Sequence, residues 1–252
     1  MLPPATSFRS SGIYLQYLRR NPLQQSNRCV IADLLFDSFE AHRVLVVAPL
    51  RVARDTWPAE IEKWEHLQHL TFSVVVGTPK ERRAALMAGA DITIINRENL
   101  QWLIEDSGFP FTYDMVCIDE LSSFKNHKSK RFQALMKVRP KVKRIIGLTG
   151  TPSSNGLMDL WAEFKLLDMG QRLGRFITQY RNDYFLPDKR NGQIIYSYKP
   201  MPYAEDAIYR KISDMTMPSC RSLPSPRPVT CGASVPTAFS AATAPRPKAM
   251  NS

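Results

Sequence analysis

Between residues 43 and 152 the chain repeats one unit, a short run of β-branched and aliphatic residues followed by a stretch with apolar side chains at helical spacing. "RVLVVAP" (43–49) is apolar at nearly every position and closed by Pro, the pattern of a strand covered on both faces. "RDTWPAEIEKWEHL" follows, with Trp57, Ile61, Trp64 and Leu67 on one side of an amphipathic helix. The pattern then recurs: strand "FSVVVG", helix "PKERRAALMAG" closed by Gly89, strand "DITIINRENL" running into helix "ENLQWLIED", strand "YDMVCIDE", helix "HKSKRFQALMKV", strand "VKRIIGLTGTP". Strands alternating with helices predict an α/β fold, a parallel sheet with helices on both faces. Such sheets bind ligands outside the carboxyl ends of their strands.

Outside this core the pattern breaks down. Residues 218–252 are rich in Pro, Ser and Ala without apolar periodicity, and are expected to form a disordered tail. Residues 1–31 carry "LPP", "NPLQQSN" and an isolated patch "GIYLQYL" that could make one or two helical turns. "KRNGQ" within 175–217 predicts a hairpin, with a helix beginning at Ala204. Tyr184, Phe185, Tyr196 and Tyr198 flank that hairpin, where strand-face packing is favoured over base stacking.

The net charge of +11 invites a nucleic-acid reading, but its location weakens it. Both flanks are basic and acid-free, and residues 32–217 hold 26 basic and 23 acidic side chains. Cys29, Cys117, Cys220 and Cys231 form no CxxC pair and no zinc-ligand spacing, which suits a reducing, cytoplasmic setting. No apolar run approaches the length of about 18 residues that a membrane span requires.

Two strand ends carry the candidate chemistry. Asp119 and Glu120 close "MVCIDE"; a carboxylate there can hold Mg²⁺ while its neighbour orients or deprotonates a water. A solvated acidic pair is the bland alternative. Some thirty residues on, "LTGTPSSN" closes the next strand, and Thr149, Gly150 and Thr151 combine close backbone approach with hydroxyls able to bond the acidic end. Gly-Thr-Pro is also ordinary turn chemistry. Trp57 and Trp64 belong with the core, by their spacing.

Together these segments resemble the SNF2-type helicase-like ATPases, and short, phage-encoded members of that group most. "VLVVAPLRVARDTWPAEIEKW", "ITIINRENL", the DEAH-like Walker B stretch "VCIDELSSFKN" and the motif III stretch "GLTGTPSSNGLMDLWAEFKLLD" stand in the family's order over about residues 33–180. The resemblance implies a RecA-like lobe at 32–174, a bridge at 175–217 toward a second lobe, ATP and Mg²⁺ as cofactors, and double-stranded DNA as partner. It further implies that Asp119 holds the metal, Glu120 serves the water, Thr149, Gly150 and Thr151 couple the nucleotide site to DNA, and Arg51, Asn96 and Arg97 approach the phosphate backbone. For Arg51 and Arg97 a solvated loop arginine is the alternative.

One part of that family's equipment is missing from the sequence. A phosphate cradle, G-x-x-x-x-G-K-[ST], needs glycines for backbone approach and Lys for the β and γ oxygens. No glycine here is followed by Lys and then Ser or Thr, and none lies between Gly12 and Gly77. The resemblance also ends near Asp33 and near Met217, where the composition turns acid-free. The expectation is a truncated or catalytically impaired ATPase lobe whose flanks are decayed or frame-shifted; the alternative is a non-hydrolytic module that binds DNA or a partner.

Overall fold

In the computed structural model seven strands make one all-parallel sheet in the order β11-β1-β6-β5-β2-β4-β3. The structure describes residues 13–17, 42–63, 67–150, 156–191 and 194–217. The tail expected at 218–252 and most of segment 1–31 lie outside them, as do Trp64 and Thr151.

The strands are β1 (Ile13–Tyr17), β2 (Val44–Ala48), β3 (Phe72–Val75), β4 (Ile92–Asn96), β5 (Met115–Asp119), β6 (Arg144–Thr149) and the short β11 (Thr216–Met217). Between them run α1 (Trp57–Lys63), α2 (Pro79–Met87), α3 (Lys130–Val138), α4 (Leu157–Asp168), α5 (Ile177–Tyr184) and α6 (Ala204–Ile212). α2 starts with Thr78 and Glu81 satisfying each other's backbone donors, a capping box that marks the helix start in the sequence.

Period-two alternation divides the core in two. Val44, Val46, Ala48, Ile92, Ile94, Met115, Cys117, Ile146 and Leu148 face one layer with Trp57, Ile61 and Leu67. Leu45, Val47, Ile95, Val116, Ile118 and Ile145 face the other, against α3, α4, α5 and α6. Both faces are covered, so the strands read as unbroken apolar runs.

One region differs from the sequence expectation. "GIYLQYL" is not a helical turn: Ile13–Tyr17 is a strand, paired residue for residue with Ile145–Thr149. Five residues cannot nucleate a stable helix alone, but an unfilled sheet edge beside β6 supplies a complete hydrogen-bond ladder. Segment 175–217 packs on the same core, through Tyr180, Tyr184, Ile208, Ile212 and Met215, and returns to the sheet as β11 beside β1.

Candidate functional site

The chain runs from β2 outward to β3 and back to β4, then crosses β2 to build β5 and β6 on its other side. α1 after β2 packs on one face of the sheet and α3 after β5 on the other. That reversal opens a crevice outside the carboxyl ends of β2 and β5, where open α/β sheets place their ligands. Asp119 is the last residue of β5 and lies in this crevice with Trp57 of α1.

Trp57 is buried in the core, as its spacing predicts, but its indole does more than pack. Its Nε1–H donates to Asp119 Oδ2 at 3.0 Å, within a buried environment. A buried donor holds one carboxylate oxygen in place, so the orientation of the carboxylate is fixed from α1. Sequence periodicity cannot reveal this, because a tryptophan on an apolar face reads the same with or without a partner for its N–H.

Glu120 follows in a left-handed conformation, φ +69° and ψ +66°, which costs a residue with a Cβ about 1–2 kcal/mol. The turn directs the chain into the 3₁₀ segment Leu121–Phe124 and brings the Glu120 carboxylate to the end of β6. There its Oε1 accepts hydrogen bonds from Ser122 Oγ and from Thr149 Oγ1, the latter at 3.3 Å. Strain at a site of converging polar groups is the pattern that function maintains.

Gly147 makes that turn fit. A Cβ on Gly147 would lie 2.6 Å from Leu121 Cδ2, so glycine lets the turn after Glu120 rest on β6 without displacing Leu121. The sequence carries the signal, a glycine inside an otherwise apolar strand.

A third carboxylate, missed in the sequence, lies behind Glu120. Glu163 on α4 is fully buried, and neither carboxylate oxygen has a hydrogen-bond partner among the described residues. Burial, reinforced by Asp159 and Glu120, pushes its pKa up to about 9, with Lys125 opposing weakly. It is a neutral acid at pH 7. The signal was a Glu inside the apolar stretch "LWAEFKLL".

The other candidates divide. Ala48 pairs with Asn96, so Arg51 and Arg97 follow the carboxyl ends of adjacent strands, next to the crevice. Arg51 is exposed. Asn96 is buried and spends its amide locally, donating to Glu98 Oε2 at 3.1 Å and accepting from Asn99 Nδ2 at 2.5 Å. Arg97 is ion-paired with Glu98 at 2.8 Å. Gly150 is exposed at the end of β6.

Among the described residues no three His, Cys, Asp or Glu side chains converge as a metal cage. A site with one Asp fits Mg²⁺ nonetheless, since Mg²⁺ keeps several waters and takes the rest of its ligands from phosphates. β1 lies beside β6 and ends at Tyr17 opposite Thr149, at the same end of the sheet as the acidic pair. Residues 18–28, which follow in the sequence, contain no glycine.

A fully parallel sheet, an acidic pair at the strand end beside the topological switch and a hydroxyl from the neighbouring strand define a RecA-like helicase-type lobe. The chain belongs to the SNF2-related domain family, whose model matches residues 14–190. It is 38% identical over 193 residues to "Putative protein p41" of Acyrthosiphon pisum secondary endosymbiont phage 1, covering 74% of this chain and 42% of that protein. It is 29% identical over 192 residues to "DNA excision repair protein ERCC-6-like" of Mus musculus, covering 73% of this chain and 14% of that one. The Sulfolobus solfataricus SWI2/SNF2 ATPase core, solved in complex with dsDNA, superposes with a TM-score of 0.65 at 20% identity, covering 85% of this chain and 41% of that one. The chain thus spans less than half the length of each of these relatives. Among the described residues no helix is long and apolar enough to cross a membrane.

Proposed function

We propose that this chain represents the nucleotide-side lobe of a DNA-dependent ATPase, with Asp119 as the Mg²⁺ ligand and Glu120 as the residue that orients the attacking water. The observation that carries this reading is the strained Glu120 turn, which brings the carboxylate onto Thr149 next to the Trp57-held Asp119. When bound, Mg²⁺ would neutralise charge on the β and γ phosphate oxygens. Thr149 bonds Glu120 directly, so a displacement of Thr149 would reorient the water-positioning carboxylate. Arg51, exposed beyond the carboxyl end of β2, supplies positive charge for a phosphate backbone; Arg97 supplies less, because Glu98 already pairs with it.

Loss of the cradle's Lys and backbone donors removes several charge-assisted hydrogen bonds of about 1.5–3 kcal/mol each from the phosphates. The chain is therefore expected to bind Mg²⁺-ATP weakly and to release no phosphate on addition of duplex DNA. Phosphate release with and without duplex DNA tests this, alongside Glu120→Gln and Asp119→Asn. DNA-stimulated turnover that disappears in Glu120→Gln would show the acidic pair to be active and the impairment to be wrong. Weak nucleotide binding that requires Mg²⁺ and vanishes in Asp119→Asn, without turnover, supports an impaired site. Duplex binding with no nucleotide binding at all favours the second reading, a non-hydrolytic DNA-binding module, which the lack of a G-K-[ST] segment supports.

A further inference from the structure

Between α5 and α6 the chain leaves the core as a two-stranded ribbon. β7 (Phe185–Pro187) pairs antiparallel with β10 (Tyr198–Pro200), and β8 (Arg190–Asn191) with β9 (Ile194–Ile195). Neither pair joins the main sheet.

The base of the ribbon is fixed. Tyr184 and Phe185 are buried, Met201 N–H donates to Tyr184 O at 2.9 Å, and the Arg181 guanidinium lies 4.9 Å from the Tyr198 ring centre. Midway, Ser197 Oγ donates to Asp188 Oδ2 at 2.9 Å and accepts from Lys189 N–H at 3.1 Å, locking the step between the two pairs. That lock occupies Asp188, the one acid between residues 184 and 204.

Beyond the base, Leu186, Pro187, Asp188, Lys189, Tyr196, Lys199 and Pro200 are exposed. Leu186 is 52% and Tyr196 65% accessible, and Lys189 and Lys199 form no ion pair among the described residues. An isolated ribbon is marginally stable in water, so this one depends on its anchored base, and its exposed side chains are open to a partner. Its edges carry Pro187 and Pro200, which blunt pairing with another strand and disfavour a β-addition partner. Unpaired lysines with an exposed tyrosine on a ribbon two strands wide match a phosphate-rich groove instead, since the major groove admits such a ribbon.

We infer that the ribbon's described arms, residues 185–189 and 196–200, are a second contact with duplex DNA, separate from the strand-end crevice, with Lys189 and Lys199 on phosphates and Tyr196 against the sugar-phosphate wall. The choice of partner rests on the DNA-dependent reading above. Fluorescence anisotropy of a labelled duplex, titrated with the full chain at about 50 mM and about 200 mM salt, tests it. Lys189→Ala/Lys199→Ala is expected to weaken low-salt binding about tenfold and to reduce the slope of log K against log salt by about 2, the release of two counterions. Lys189→Arg/Lys199→Arg should bind like the parent, and Tyr196→Ala should lose a smaller factor with the slope unchanged. Thermal melts matching the parent exclude a folding defect.

If the alanine pair binds like the parent at both salts while Arg51→Ala weakens binding, the ribbon proposal is overturned and the DNA-dependent reading stands. If the parent shows no salt-dependent duplex binding, both fall. If Leu186→Ala/Tyr196→Ala instead converts a dimer into a monomer in sedimentation and leaves DNA binding unchanged, the ribbon is a self-association surface and the proposal is likewise overturned.

Discussion

Helix α4 buries two carboxylates completely, five residues apart, and treats them in opposite ways. Asp168 closes the helix. Its Oδ1 accepts from the N–H groups of Gly170 at 2.7 Å and Gln171 at 3.2 Å, and its Oδ2 from the Arg172 N–H at 2.9 Å. The last carbonyls of the same helix, Leu166 O and Leu167 O, accept from Arg139 Nε at 2.7 Å and Nη2 at 2.5 Å. Glu163, in the middle of the helix, has none of this. A helix interior consumes its own N–H groups, whereas the chain beyond its end turns free donors inward. The same residue class is therefore a structural anchor in one place and an uncompensated acid in the other, and the acid is the one near Glu120.

Asp168→Ala should show the largest effect. It strips three backbone donors of their acceptor and is expected to cost on the order of 3–5 kcal/mol, read as a lower midpoint in denaturant. Asp168→Asn keeps an acceptor and should lose less.

Glu163→Gln should move stability the other way. The folded pKa near 9 lies above the ordinary carboxylate value of 4.5, so the unfolded chain loses the proton first. The penalty is absent below about pH 4.5, grows as pH rises toward 9 and is constant beyond. At pH 7 the neutral amide should gain about 3 kcal/mol, and the fall in stability between pH 5 and 9 should flatten. Denaturant melts across that window check both, and identical slopes for parent and variant would sink the claim that Glu163 is buried as an acid.

Smaller effects belong to the strand-end site. Gly147→Ala forces Leu121 aside and should cost about 1–3 kcal/mol, with a further loss of any Mg²⁺-nucleotide binding because the Glu120 turn moves with Leu121. Trp57→Phe keeps the packing but removes the donor to Asp119, and should cost about 1–2 kcal/mol in a thermal melt. No change would mean that Asp119 needs no fixed donor.

Legibility tracked the physics of each element. β2 to β6 were readable because a strand covered on both faces must be apolar at nearly every position. The hairpin at "KRNGQ" and the start of α6 at Ala204 were readable from turn chemistry and helical spacing. β1 was not, since its partner β6 lies more than a hundred residues away and five residues carry no period. The four aromatics around the hairpin share one composition and two fates: Tyr184 and Phe185 are core, Tyr196 is exposed.

At the candidate site, the sequence alone determined that Asp119 and Glu120 close an apolar strand and that Thr149 closes the next, because strand ends are written locally in residue type. Only the tertiary structure decided that β5 and β6 are neighbours, that Thr149 therefore reaches Glu120, that Trp57 crosses from α1 to hold Asp119, and that Glu163 lies buried behind them. Such contacts join residues 29 to 62 positions apart, and local propensity has no information over that distance.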